Sequence, residues 1–185
     1  NRGVKMTSTQ ITRSRLQYGP LDWLYTAESY LSEKERSVLI FVAAHLGSTP
    51  RETGAWLLVS EQHTIGTLGG GELEYSAMLI GKGMLEGNEP FTLQFKELKL
   101  GPELGQCCGG AVTLLFVPIG KTSSKWLKKA ILIVTKGVEG YTAFPTANPK
   151  MTPKVYEGSP SQKLIKLGSV HVQSLFDGRP RITLF

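Results

Sequence analysis

Three glycine-rich stretches hold the residues of this chain best suited to chemistry. The first, GSTPRETGA at 47–55, follows an apolar run. A Gly-Ser-Thr turn leaving a buried strand can present backbone N–H groups and the hydroxyls of Ser48 and Thr49, which suit phosphate or pterin oxygens. Arg51 adds a planar, bidentate donor. The plainer account is a connecting loop in which Pro50 sets the turn and Arg51 is solvated. The second stretch, GTLGGGELE at 66–74, opens a predicted helix. Gly69, Gly70 and Gly71 would let a ligand approach the backbone closely, and a helix start favours an anion. Glu72 and Glu74 also read as first-turn charges that stabilise the helix. Taken alone, this motif fits a flexible turn as well as a ligand loop.

The third stretch, GPELGQCCGG at 101–110, runs into the apolar AVTLLFV. Adjacent Cα atoms lie about 3.8 Å apart across a trans peptide, below the roughly 4.4 Å of an unstrained disulfide. Cys107 and Cys108 are therefore expected to be two free thiols. A soft sulfur ligand suits molybdenum or a sulfur-transfer step, and the N–H groups of Gly109 and Gly110 would raise the thiolate fraction. The competing account turns one cysteine, Cys108 above all, into the core as a small hydrophobe.

Several other patterns fail on inspection. Counted from Gly69, the sixth position of the second stretch is Glu74 rather than the glycine of a dinucleotide fingerprint. Glu72 stands where a P-loop lysine would follow Gly71. Gly120-Lys121-Thr122 mimics a P-loop end, but Leu115 occupies the place of its glycine. His45, His63 and His171 have no mutual metal spacing and are read as structural or surface residues.

The bulk properties set the remaining bounds. The 185 residues fit one domain or one domain with a small appendage, and 41% apolar against 19% charged residues can bury a sizeable core. No apolar run approaches the ~18 residues of a membrane span, and the amino terminus lacks the apolar segment of a secretory signal. Two adjacent cysteines make no extracellular framework, so the expected location is cytoplasmic. Met6 reads as the natural start. The net charge of +6 and pI near 9.3 attract anions. The basic residues do not cluster beyond Lys121, Lys125, Lys128 and Lys129, which argues against a nucleic-acid partner.

These motifs need a scaffold. Helical spacing of Leu21, Leu24, Tyr25 and Leu31 predicts a helix over 21–36, and Leu73, Ala77, Ile80 and Met84 predict another over 72–86. Strands are expected at 37–45, 55–60, 91–98, 111–117 and 130–135, with a short helix over 123–129. The expected class is α/β or α+β: a mixed sheet with flanking helices, and Gly-rich loops at strand and helix ends. Residues 1–19 read as a flexible arm and 20–147 as the main folded domain. Pro149, Pro153, Pro160 and Gly158 mark 148–163 as a linker or loop. The 164–185 tail carries strand-like pieces at 169–176 and 181–185. Its apolar end, RITLF, suggests truncation.

The three stretches, in this order and followed by VTLLFVP, resemble the XdhC/CoxI family of molybdoenzyme maturation proteins. The likeness is good over about 21–120 and looser beyond, and it includes the intact GQCCGG element at 105–110. It implies binding of the molybdenum cofactor (molybdopterin) and its insertion into a xanthine-dehydrogenase-like apoprotein after sulfuration by a cysteine desulfurase. Carried onto this chain, the cofactor-binding residues would be Ser48, Thr49, Arg51, Gly69, Gly70, Gly71, Gln106, Cys107, Cys108 and Gly109, with Cys107 as the candidate molybdenum ligand. Such a factor has no turnover of its own, and a homodimer stays open. Family members often carry cysteine where this chain has Glu72, so a sulfur role falls to Cys107 or Cys108. They also continue into a Rossmann-like domain, whose first strand RITLF would begin. Two other readings compete: a thiol-dependent sulfurtransferase with persulfide on Cys107, and a generic anion or nucleic-acid-binding module, recognisable by steep salt dependence.

Overall fold

The computed structural model describes residues 19, 21–46, 52–99, 110–145, 148, 150–159 and 170–175. Helix α1 (Asp22–Ser32) leads into β1 (Ser37–Leu46), β2 (Trp56–Ser60) and β3 (Thr64–Gly66). Then follow α2 (Gly71–Glu86), β4 (Gln94–Lys99), β5 (Ala111–Ile119), α3 (Ser124–Lys136), β6 (Gly140–Pro145), β7 (Lys154–Glu157) and β8 (Val170–Ser174). The strands form a five-stranded sheet in the order β3-β2-β1-β5-β4 and a three-stranded sheet in the order β7-β6-β8. The mixed α and β class expected from sequence holds. Where a mixed sheet was expected, every described pairing is antiparallel. Apolar runs such as 37–43 suit any strand buried on both faces, so they carry no information about strand direction.

The centre of the large sheet is covered on both sides. Val38, Ile40 and Val42 of β1 face one way, with Val112, Leu114 and Phe116 of β5, under Leu73, Ala77 and Met84 of α2. Leu39 and Phe41 face the other way, with Leu115 and Val117, against α1, α3 and Phe144 of the small sheet. This two-sided burial accounts for the unbroken apolar sequence of β1. Gly81, which costs helix propensity, lets α2 settle on the sheet: a Cβ there would lie 3.3 Å from Val59 Cβ. The seam of α1 is Trp23, Leu24, Ala27 and Tyr30, whereas Tyr25, expected to face inward, is exposed.

Three expectations change. Residues 130–135 are the second half of α3 rather than a strand, because Trp126, Leu127, Ala130, Ile133 and Val134 bury one helical stripe and left-handed Gly137 ends the helix. The 148–163 stretch contains β7, which pairs with β6 through Thr142↔Val155. The alternation read over 91–98 becomes strand only from Gln94, while Phe91 lies under the guanidinium of Arg36 at 4.0 Å.

Helix α3 and the small sheet meet closely at Gly140. A Cβ there would stand 2.5 Å from Ile133 Cγ2 and 2.8 Å from the Tyr156 carbonyl oxygen. Gly140→Ala is therefore expected to destabilise the fold by about 1–3 kcal/mol. A thermal midpoint unchanged from the parent would contradict this packing.

Candidate functional site

The strand registers bring the flanks of all three glycine-rich motifs to one end of the large sheet. β1 ends at Leu46, just before the first motif, and Leu46 pairs with Ala111, just after the third. Ala111 also pairs with Lys99 at the end of β4, where the third motif departs. β2 begins at that end with Trp56, and β3 finishes there with Gly66 opposite Leu57. The edge is stepped, since β2 starts opposite Phe41 while β1 and β5 continue past a bulge between Val42 and Ala44. Helix α2 starts at this end and runs back down the sheet, so that the ammonium of Lys82 donates to the Ser60 carbonyl at 2.7 Å. Its amino terminus therefore opens toward the same end.

The triple glycine forms a locked turn. Gly69, Gly70 and Gly71 have φ of 106°, 78° and 65°, all in the region that favours glycine. Glu74 Oε2 accepts from the Thr67 hydroxyl at 2.6 Å, the Leu68 N–H at 2.8 Å and the Gly70 N–H at 3.1 Å. The Gly69 N–H donates to Thr67 Oγ1 at 3.0 Å. Glu74 thus does the work of a capping-box glutamate from one position further along the helix. The three glycine amides are not equivalent: those of Gly69 and Gly70 are engaged within the turn. Among the described residues, Cβ atoms added at Gly70 or Gly71 would meet nothing within 4 Å.

Sequence reasoning singled out the glycines and missed Thr67 as their partner. The available signal was an acid four residues beyond the first residue of a helix cap, preceded by a hydroxyl seven residues back. Of the other nominated residues, Ser48, Thr49, Arg51, Gln106, Cys107, Cys108 and Gly109 lie outside the described residues. The end of the first motif is visible: the Gly54 N–H donates to the Val42 carbonyl at 2.9 Å, extending the β1–β2 ladder. Gln173 of β8 comes within 3.4 Å of where a Gly54 Cβ would stand.

Among the described residues, no three His, Cys, Asp or Glu side chains gather to hold a metal ion. A cleft of about 280 Å³, lined by Phe91, Val117, Thr122, Trp126, Lys150 and Met151 among others, opens elsewhere. Val117 pairs with Leu39, toward the opposite end of β1 from the motifs, so the cleft is separate from them. Among the described residues, no helix is long and apolar enough to cross a membrane.

Comparison with known proteins bears on the same part of the chain. Residues 30–96 match the XdhC and CoxI family. The resemblance read from the motifs holds there, over β1 to β3, α2 and the start of β4. This family segment includes the first two glycine-rich motifs, and the third lies just beyond it. A solved structure of a xanthine dehydrogenase from Bacillus halodurans superposes with a TM-score of 0.62 at 16% identity, covering 82% of this chain and 52% of that one. That likeness establishes a shared fold, and this chain spans about half the length of that protein. No curated protein matches the sequence significantly.

Proposed function

We propose that this chain binds the molybdenum cofactor and hands it to a xanthine-dehydrogenase-like apoenzyme in the cytoplasm, as a maturation factor without turnover of its own. The observation that carries this reading is the gathering of three motif flanks at one sheet end, in a chain whose 30–96 segment matches the XdhC and CoxI family. Among the described residues nothing crowds Gly70 or Gly71, which fits the approach of a large, flat ligand to the backbone. Bound cofactor would supply the molybdenum chemistry. The chain's residues would hold it: Arg51, Ser48 and Thr49 at its anionic end, the triple glycine along its body, and Gln106, Cys107, Cys108 and Gly109 near the metal. A cysteine desulfurase would provide the sulfur.

Anaerobic titration with isolated molybdenum cofactor, followed by absorbance and native mass measurement, tests the reading. A saturable complex is expected. Failure to bind under conditions where the cofactor stays intact would overturn it. Arg51→Ala is expected to weaken binding about tenfold to a hundredfold, the usual effect of losing one charge-assisted hydrogen bond. Its melting temperature should match the parent's. Repeated sulfur transfer to the cofactor by the parent, lost in Cys107→Ala, would replace the handover reading with that of a sulfurtransferase.

A further inference from the structure

The cleft of about 280 Å³ lies toward the opposite end of β1 from the glycine-rich motifs, and its walls are braced on both sides. On one wall the buried Ser123 hydroxyl donates to the Pro118 carbonyl at 3.2 Å and accepts from the Gly120 N–H at 3.2 Å, which fixes the turn between β5 and α3. On the other, Asn148 Oδ1 accepts from the Lys150 N–H at 3.1 Å, and the Asn148 carbonyl accepts from the Met151 N–H at 3.0 Å. The segment that carries Lys150 and Met151 into β7 is therefore itself a built turn. Pro118 and Pro153, one on each wall, add fixed backbone angles. A gap between such walls does not close cheaply, and a preformed concavity is the usual form of a small-molecule site.

We infer that this cleft binds a small, flat aromatic acid, of one or two rings and a single negative charge, apart from the proposed cofactor site. Phe91 and Trp126 line it with aromatic surface, and Met151, 45% exposed, adds a flexible thioether of the kind that packs well on rings. The charge follows from the rim. No carboxylate is among the lining residues, whereas Lys150 is, and Lys121 adjoins the lining Thr122. The guanidinium of Arg36 lies 4.0 Å from the centre of the Phe91 ring. The ion pairs formed among the described residues, Lys96 with Glu89 and Lys136 with Glu157, engage none of these three cations. Their combined field favours an anion at the mouth. Size sets the upper bound: about 280 Å³ falls just short of the roughly 300–1,000 Å³ of sites for drug-sized ligands, so two fused rings fit and a dinucleotide does not.

The test uses the whole chain with 2-naphthoate as the probe, naphthalene-2-carboxamide as its neutral counterpart and decanoate as an acid without rings. Binding is followed by nuclear magnetic resonance, the Trp126 indole N–H being the resonance absent from Trp126→Phe. Naphthoate is expected to bind saturably, moving the Trp126 indole and the Lys150 and Met151 amides while the Gly70 amide stays in place. If Trp126→Phe does not fold, the two amides carry the same readout. The carboxamide should bind about tenfold more weakly, the usual effect of losing one charge-assisted hydrogen bond. Decanoate should also bind more weakly than naphthoate. Lys150→Glu changes an exposed residue, so it should melt with the parent, lower naphthoate affinity by at least about tenfold and leave the carboxamide unaffected. Equal affinity for naphthoate and carboxamide, or naphthoate binding untouched by Lys150→Glu, would overturn the recognition of an acid. Decanoate binding as tightly as naphthoate would overturn the aromatic class. The absence of a saturable shift, or shifts confined to residues outside the cleft, would overturn the site itself, and none of these outcomes depends on whether the chain binds the molybdenum cofactor.

Discussion

Replacing Phe41 with alanine is expected to destabilise the protein by about 3–5 kcal/mol, a large part of the 5–15 kcal/mol that roughly bounds a whole domain. Phe41 lies on the central strand and is fully buried. Its ring meets Trp23 of α1 edge-on, with centroids 5.2 Å apart, and Phe144 of the small sheet at 5.9 Å. Trp126 of α3 in turn stands edge-on to Phe144 at 5.8 Å. Phe41 therefore joins both sheets and α1 directly and α3 through Phe144, and the hole left by its removal is bordered by large rings. Urea unfolding of the purified variant should give the loss directly. Tyr25→Ala, on the exposed face of α1, serves as the control and should stay within about 0.5 kcal/mol of the parent. A Phe41→Ala loss below about 1 kcal/mol would mean that the two sheets do not share one core.

The second large effect is expected in binding. Gly70 has φ 78° and ψ −169°, a combination essentially confined to glycine. Gly70→Val should cost about 1–3 kcal/mol in backbone strain, while its Cβ would meet no atom of the described residues within 4 Å. In the free protein the variant should thus fold with a moderately lowered melting temperature. In the proposed complex the isopropyl group would stand where the ligand approaches, and affinity should fall by more than a hundredfold, beyond the effect of Arg51→Ala. The two readouts separate the causes. A stability loss without a binding loss would move the ligand away from the triple glycine.

How much of this was legible in the sequence differs from element to element. β1, β2, α2 and β5 fall within a residue or two of their expected limits, because each buries its apolar residues in a run or stripe of clear period. The two halves of α3 were split between helix and strand, since Ile131 to Val134 is a continuous apolar run that periodicity cannot assign. β3 was missed for another reason. Its three residues are too few to show a period, and the turn before it is held by the Ser60 side chain, which accepts from the His63 N–H at 3.1 Å. Long-range partners rather than local pattern make β6 and β7 into strands. At the candidate site, the glycines announced themselves by type, whereas the Thr67–Glu74 contact depends on a turn geometry that spacing alone does not fix.

The order of strands has a consequence for how the chain acquires its function. β1 lies between β2, which follows it directly, and β5, whose paired residues come roughly seventy positions later. The β1–β2–β3 meander is built from contacts near in sequence, whereas β5 reaches β1 across β2, β3, α2 and β4, and pairings of such separation slow folding. That closure is what brings the flanks of the first and third motifs together, through Leu46↔Ala111. On the proposed function, a newly made chain offers no complete cofactor site until its longest-range pairing has formed. Acceptance of the cofactor would then double as a checkpoint that only finished molecules pass, and a labile ligand would be spared capture by half-folded ones.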